Sequence, residues 1–144
     1  MRFCDGCRRA SSPDASLFAI FLRVTHTLYL FLLGFFLAHE LDAVACREWR
    51  LLYVLRGLRE ATARAAFIAL HIPLVAGLAW TTSATHPLAA HARLAVASFA
   101  LLHAGLHYRL RRHSAHDFHA PLSIALIAGA ALCGAGYLGL ILLG

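Results

Sequence analysis

Residues 121–143 read PLSIALIAGAALCGAGYLGLILL, a run without one charged side chain. A transmembrane helix needs about 20 mostly apolar residues to cross the hydrocarbon core of a bilayer, and this segment meets that length. Three further apolar runs precede it, at Ala92–Leu110, Ala65–Thr82 and Leu17–Ala45. The 144 residues are 60% hydrophobic and 14% charged, with a mean hydropathy of +0.69. Soluble domains are roughly 45–50% apolar and about 25% charged, so the excess apolar surface requires lipid as its solvent. Four crossings use about 80 residues and leave short loops without room for a separate soluble domain. The sequence therefore predicts an all-α integral membrane bundle of four transmembrane helices over residues 14–144, behind a disordered polar tail at 1–13.

Each run must be helical, because a lipid-exposed segment has to satisfy its own backbone hydrogen bonds. Pro73 falls inside the second run, where its missing N–H predicts a bend, while Pro87 and Pro121 sit near helix starts, where that loss costs little. Between the first two runs, Leu51, Leu55 and Leu58 recur at helical spacing, and Trp49 and Tyr53 suit the headgroup layer. The stretch from Arg47 to Arg56 reads either as an interfacial helix or as a frayed connector, with Glu48 pairing to a nearby arginine. In the last run, small residues including Gly129, Gly134, Gly136 and Gly139 permit close helix approach, within the bundle or against another copy in a homo-oligomer.

All thirteen basic residues are arginine and the net charge is +6. They fall in the gaps between apolar runs, where they read as topology signals and lipid contacts rather than as a nucleic-acid surface. Arg47, Arg50, Arg56, Arg59 and Arg64 lie in the first connection and Arg109, Arg111 and Arg112 in the third, against Arg2, Arg8, Arg9, Arg23 and Arg93 on the opposite side. The positive-inside rule then turns both arginine-rich connections to the cytoplasm and leaves both termini outside. Cys4 and Cys7 have CxxC spacing, but a single pair supplies half of a zinc site, and the other cysteines, Cys46 and Cys133, form no second pair. Glu40 and Asp42 interrupt the region that a cleaved export signal would need to keep apolar, so the first run is read as retained.

The informative polar residues are histidines and acids within the apolar runs. A rise of roughly 1.5 Å per residue, measured inward from the arginine-rich side, puts Glu40 about 7 Å deep, His71 about 9 Å, His103 about 10 Å and His107 about 5 Å. They share one layer of the bilayer. His103 and His107 are spaced i, i+4 and so present both imidazoles on one helix face, as two ligands of one metal ion would be. His39 and Asp42 are spaced i, i+3, close enough for a carboxylate to orient a ring or to join it as a ligand, and Glu40 leaves the same turn. Ionisable side chains in a membrane face the bundle interior with partners, which marks these positions as functional candidates. A hydrogen-bonded network that only pins the helices together satisfies the same pattern.

The elements His39-Glu40-Leu41-Asp42-Ala43, Glu48-Trp49-Arg50 and His71-Ile72-Pro73-Leu74 stand in order along the chain. With His103, His107, Arg111-Arg112-His113 and the glycine-rich last run, they resemble a bacterial family of small four-pass membrane proteins of unknown function. The resemblance covers roughly Leu30 to Leu143. It implies the four-helix architecture in a bacterial inner membrane and a shared polar site, and it supplies no reaction.

Three functional classes fit these residues. In the first, a metal-dependent membrane hydrolase acting on a lipid or amphipathic substrate at the cytoplasmic face, zinc is held by His71, His103 and His107 with Asp42 or His39, and Glu40 serves as general base. Iron-dependent oxygen chemistry ranks below it, because the chain has one HxxxH pair and lacks the adjacent His-His boxes of membrane desaturases. The second is a haem protein with His71 and His103 as axial ligands. The third is a non-enzymatic accessory protein whose polar layer fixes packing or responds to pH. Transport is a fourth, and would require oligomerisation.

Overall fold

The computed structural model describes residues 13–83 and 86–143, and most of the tail expected at 1–13 lies outside them. Four helices follow in order: α1, Pro13–Ala45; α2, Glu60–Thr81; α3, Leu88–Leu110; and α4, Pro121–Leu143. All four are long and apolar enough to cross a membrane, and no strand occurs among the described residues. Proline occupies the first position of α1 and of α4, where no intrahelical partner awaits its missing N–H. α2 begins at Glu60 and α3 at Leu88, ahead of the apolar runs at Ala65 and Ala92, so Arg64 and His91 stand in the early turns of these helices. α2 remains helical through Pro73.

α4 packs along α1 and α3, and these contacts form the body of the bundle, whereas α2 touches α1 and α3 more sparsely. Glycine explains the close fit of α4. A Cβ at Gly134 would stand 2.9 Å from the carbonyl oxygen of Ala97, so the α3 and α4 backbones meet there. A Cβ at Gly129 would lie 2.6 Å from the Phe35 ring, and one at Gly136 3.4 Å from Leu28. These three glycines serve packing inside the bundle, while Gly139 faces open space. Substituting Gly134→Leu is expected to wedge α3 from α4 at a cost of about 1–3 kcal/mol, read as a lower unfolding temperature in detergent. Gly139→Leu should leave that temperature unchanged.

Two apolar clusters fill the interior. One gathers Tyr29, Leu32, Phe36, Leu78, Ala97 and Tyr137, and the other Ala43, Trp49, Leu55, Ala63, Phe67 and Phe118. The second owes its form to the connection after α1. Arg47 adopts a left-handed conformation, φ 54° and ψ 44°, which costs a non-glycine residue roughly 1–2 kcal/mol. This residue ends α1 and reverses the chain. A single 3₁₀ turn, Glu48–Arg50, and a series of further turns follow, so of the two readings of Arg47–Arg56 the connector is formed and the interfacial helix is not. Trp49 is 3% exposed instead of lying in the headgroups, because the reversal carries its indole under the bundle, where its ring centroid is 5.8 Å from that of Phe67. Arg50 pairs with Glu60 at 3.2 Å, leaving Glu48 directed inward.

Candidate metal centre

The two apolar clusters meet at a layer of histidines. Phe36 and Phe99 lie against the ring of His103 at centroid separations of 5.6 and 5.5 Å. Phe118 packs against His107 at 4.6 Å and His39 at 5.4 Å. These aromatic walls limit the rotamers of the three imidazoles and aim them at one another. The Nε2 atoms of His39 and His103 are 2.8 Å apart, and those of His103 and His107 are 3.1 Å apart. Glu48 reaches the group from the 3₁₀ turn, with Oε2 3.7 Å from His39 Nε2 and Oε1 3.7 Å from His107 Nε2. Taken together, the four side chains offer donor atoms that all lie within 4.8 Å of one another.

A proton count limits what hydrogen bonding can do here. A neutral imidazole nitrogen carries either one hydrogen or one in-plane lone pair. His103 Nε2 faces two other Nε2 atoms, so a hydrogen or lone pair on it can satisfy only one contact with good geometry. A cation at the centre would instead serve all three lone pairs. Nitrogens held at 2.0–2.1 Å from a tetrahedral zinc lie about 3.3 Å from each other, close to the separations found.

The histidine layer extends outward. His107 Nδ1 and His116 Nε2 are 3.3 Å apart, which links a histidine of the expected layer to the loop before α4. His116 is buried, and burial, together with the neighbouring His107 and His119, pushes its pKa below the ordinary value. At Glu48 burial raises the carboxyl pKa, but the adjacent imidazoles of His107, His39 and His103 together outweigh it, and the net displacement is downward.

His71 and Glu40 form a separate pair, with Nε2 and Oε2 2.7 Å apart. His71 Nδ1 lies 2.7 Å from the Phe67 carbonyl, which can only accept, so the ring donates there through Nδ1–H. The Glu40 contact then requires one further proton, carried by the carboxyl or by Nε2. Asp42 stands apart as well: its Oδ2 is buried without a hydrogen-bond partner, and its carboxylate neighbours the Cys46 thiol, which is also close to Ser123. Of the residues singled out in the sequence, the structure brings His39, His103 and His107 together, pairs Glu40 with His71, and leaves Asp42 outside both groups. The His71–His103 pairing considered for haem is not formed, since the two rings face Glu40 and His39 respectively. Glu48, read in the sequence as an interfacial anchor paired to arginine, joins the histidines instead. The Glu48-Trp49-Arg50 motif is the one sequence signal that marks it.

A cavity of about 480 Å³ opens on this centre. Glu40, Glu48, His103 and His107 supply all of its ionisable lining, and the remainder is leucine and phenylalanine. The fold and this centre define a class, a multi-pass helical membrane protein with a histidine–carboxylate core near one end of the bundle. The chain belongs to a family of unknown function, DUF6713, whose model matches residues 25–143 and so includes every residue of the centre. No curated protein and no solved structure matches it.

Proposed function

We propose that the protein is a membrane-embedded metalloenzyme in which His39, His103 and His107 bind one divalent transition-metal ion, with Glu48 as the carboxylate partner. The observation that carries this reading is the convergence of three Nε2 atoms on one point, a geometry that imidazole hydrogen bonding alone satisfies poorly. A nitrogen-rich set with one carboxylate accommodates zinc or iron. Glu48 replaces His71 and Asp42 in the ligand set suggested by the sequence.

A zinc ion held here would lower the pKa of a bound water to about 7, which supports hydrolysis as the reaction class. Glu40 lines the same cavity and shares a proton with His71, a position suited to a general base. His116 would orient His107 by accepting from its Nδ1–H, as outer partners of metal-bound imidazoles do. The arginine distribution supports an orientation with both termini outside and the histidine layer near the cytoplasmic face.

The direct test is elemental analysis of protein purified in detergent and loaded with Zn²⁺ or Fe²⁺, followed by removal of free metal. One equivalent of metal per chain is expected. A content far below one for both metals would overturn the reading and leave a packing network as the role of the layer.

A further inference from the structure

The cavity beside the histidine layer has a direction. Its ionisable side chains are gathered at one end, the end of the bundle that carries the connection between α1 and α2. His107 lies three residues before the end of α3, whereas Phe99, on the opposite part of the lining, lies eight residues deeper, about 12 Å along the helix axis. Leu51, Leu52, Leu106 and Leu110 line the His107 end beside the ionisable groups, whereas the deeper lining, Phe36, Leu74 and Phe99, is apolar throughout, so in a bilayer the mixed end lies toward the membrane boundary and the wholly apolar end toward the middle. A resident lipid has the same polarity, with its head at the interface and its chain toward the centre.

The walls indicate the entrance. The lining comes from α2 through Leu74 and from α3 through Phe99 and Leu106, two helices that touch sparsely. These residues are 38%, 45% and 44% exposed, and Leu52 in the connection above them is 39% exposed. Surface that is apolar and exposed at this depth faces hydrocarbon. The cavity volume, about 480 Å³, falls within the roughly 300–1,000 Å³ of pockets that hold small-molecule ligands.

We infer that the cavity takes a long-chain amphiphile with an oxygen-bearing head, which enters sideways from the bilayer between α2 and α3 and keeps its lipid orientation. Its chain lies along Leu74, Phe99 and Leu106, and its head meets Glu40 and the His103–His107 face. The inference rests on the proposed metal centre for the chemistry at the head, and on the cavity alone for the binding of the chain.

The test uses the full chain in phosphatidylcholine nanodiscs containing palmitic acid with a mid-chain diazirine. Irradiation followed by peptide mass spectrometry is expected to label Phe36, which lines the cavity and is 3% exposed, as well as outward residues such as Leu132, 73% exposed. Leu106→Trp and Leu74→Trp narrow the mouth from opposite walls at partly exposed positions. Each is expected to reduce labelling of Phe36 at least tenfold while leaving Leu132 labelling and metal content unchanged. Label confined to outward residues in the wild type, or Phe36 labelling that survives both tryptophans, overturns the inference. Protein that takes up neither Zn²⁺ nor Fe²⁺ on loading but still shows the expected labelling overturns the metal centre and leaves the lipid cavity standing.

Discussion

The substitution His103→Ala is expected to lower bound metal from about one equivalent per chain to below a tenth, because His103 supplies the central one of the three converging nitrogens. Loss of an outer partner of a metal ligand typically costs 10–100-fold in affinity, and loss of a ligand itself costs at least as much. The readout includes stability. A ligand present at one hundred times its dissociation constant stabilises the folded state by about 2.7 kcal/mol, so wild-type protein should unfold at a higher temperature with Zn²⁺ than with chelator. For His103→Ala that difference should vanish. A purely structural layer predicts another pattern: the variant loses stability because it leaves His39 without its partner, and metal shifts neither protein. His71→Ala separates the two polar groups. It breaks the Glu40 pair and is expected to retain metal, since the His71 ring pairs with Glu40 and is not one of the four donors.

The second large effect is expected at Trp49. Its indole fills the cluster formed with Ala43, Ala63, Phe67 and Phe118, and truncation of a buried aromatic side chain costs about 3–5 kcal/mol. Trp49→Ala should therefore lower the unfolding temperature markedly. It should also weaken metal binding, because Trp49 anchors the turn that aims Glu48 at the histidines. Trp49→Phe keeps an aromatic ring in the cluster and removes only the indole N–H and part of the volume. The indole Nε1–H is buried without a hydrogen-bond partner, so removing it relieves an unsatisfied donor and offsets part of the lost volume. The Phe variant is expected to recover most of the stability and the metal affinity. Equal loss in both variants would show that ring size at this position, rather than an anchored turn, controls the centre.

The four helices were legible in the sequence because length and lack of charge suffice to define a membrane span, with no knowledge of helix rotation. The site was legible in depth and only partly in direction. His39, Glu40, His71, His103 and His107 lie in the layer expected from helix rise, but α1 is apolar on all sides and gives no periodic cue to its facing. Adjacent residues in a helix point about 100° apart. That rotation sends His39 toward α3 and Glu40 toward α2, and it turns Asp42 toward Cys46 and Ser123. Glu48 was the least legible member. The left-handed reversal that delivers it occurs at Arg47, without the glycine or asparagine that usually announces such a turn, and Trp49 beside it reads naturally as a headgroup anchor.

The Glu40–His71 contact bears on how the bundle behaves in an energised membrane. It holds one proton whichever partner owns it, so the pair is electrically neutral as a unit and avoids the expense of an isolated charge in hydrocarbon. Passing that proton from one partner to the other moves charge across a contact of 2.7 Å. This distance is about a tenth of the ~30 Å core, and a potential of 100 mV does about 2.3 kcal/mol of work on a full crossing. The voltage therefore biases the transfer by about 0.2 kcal/mol at most, below thermal energy, and the dyad operates independently of the cell's electrical state.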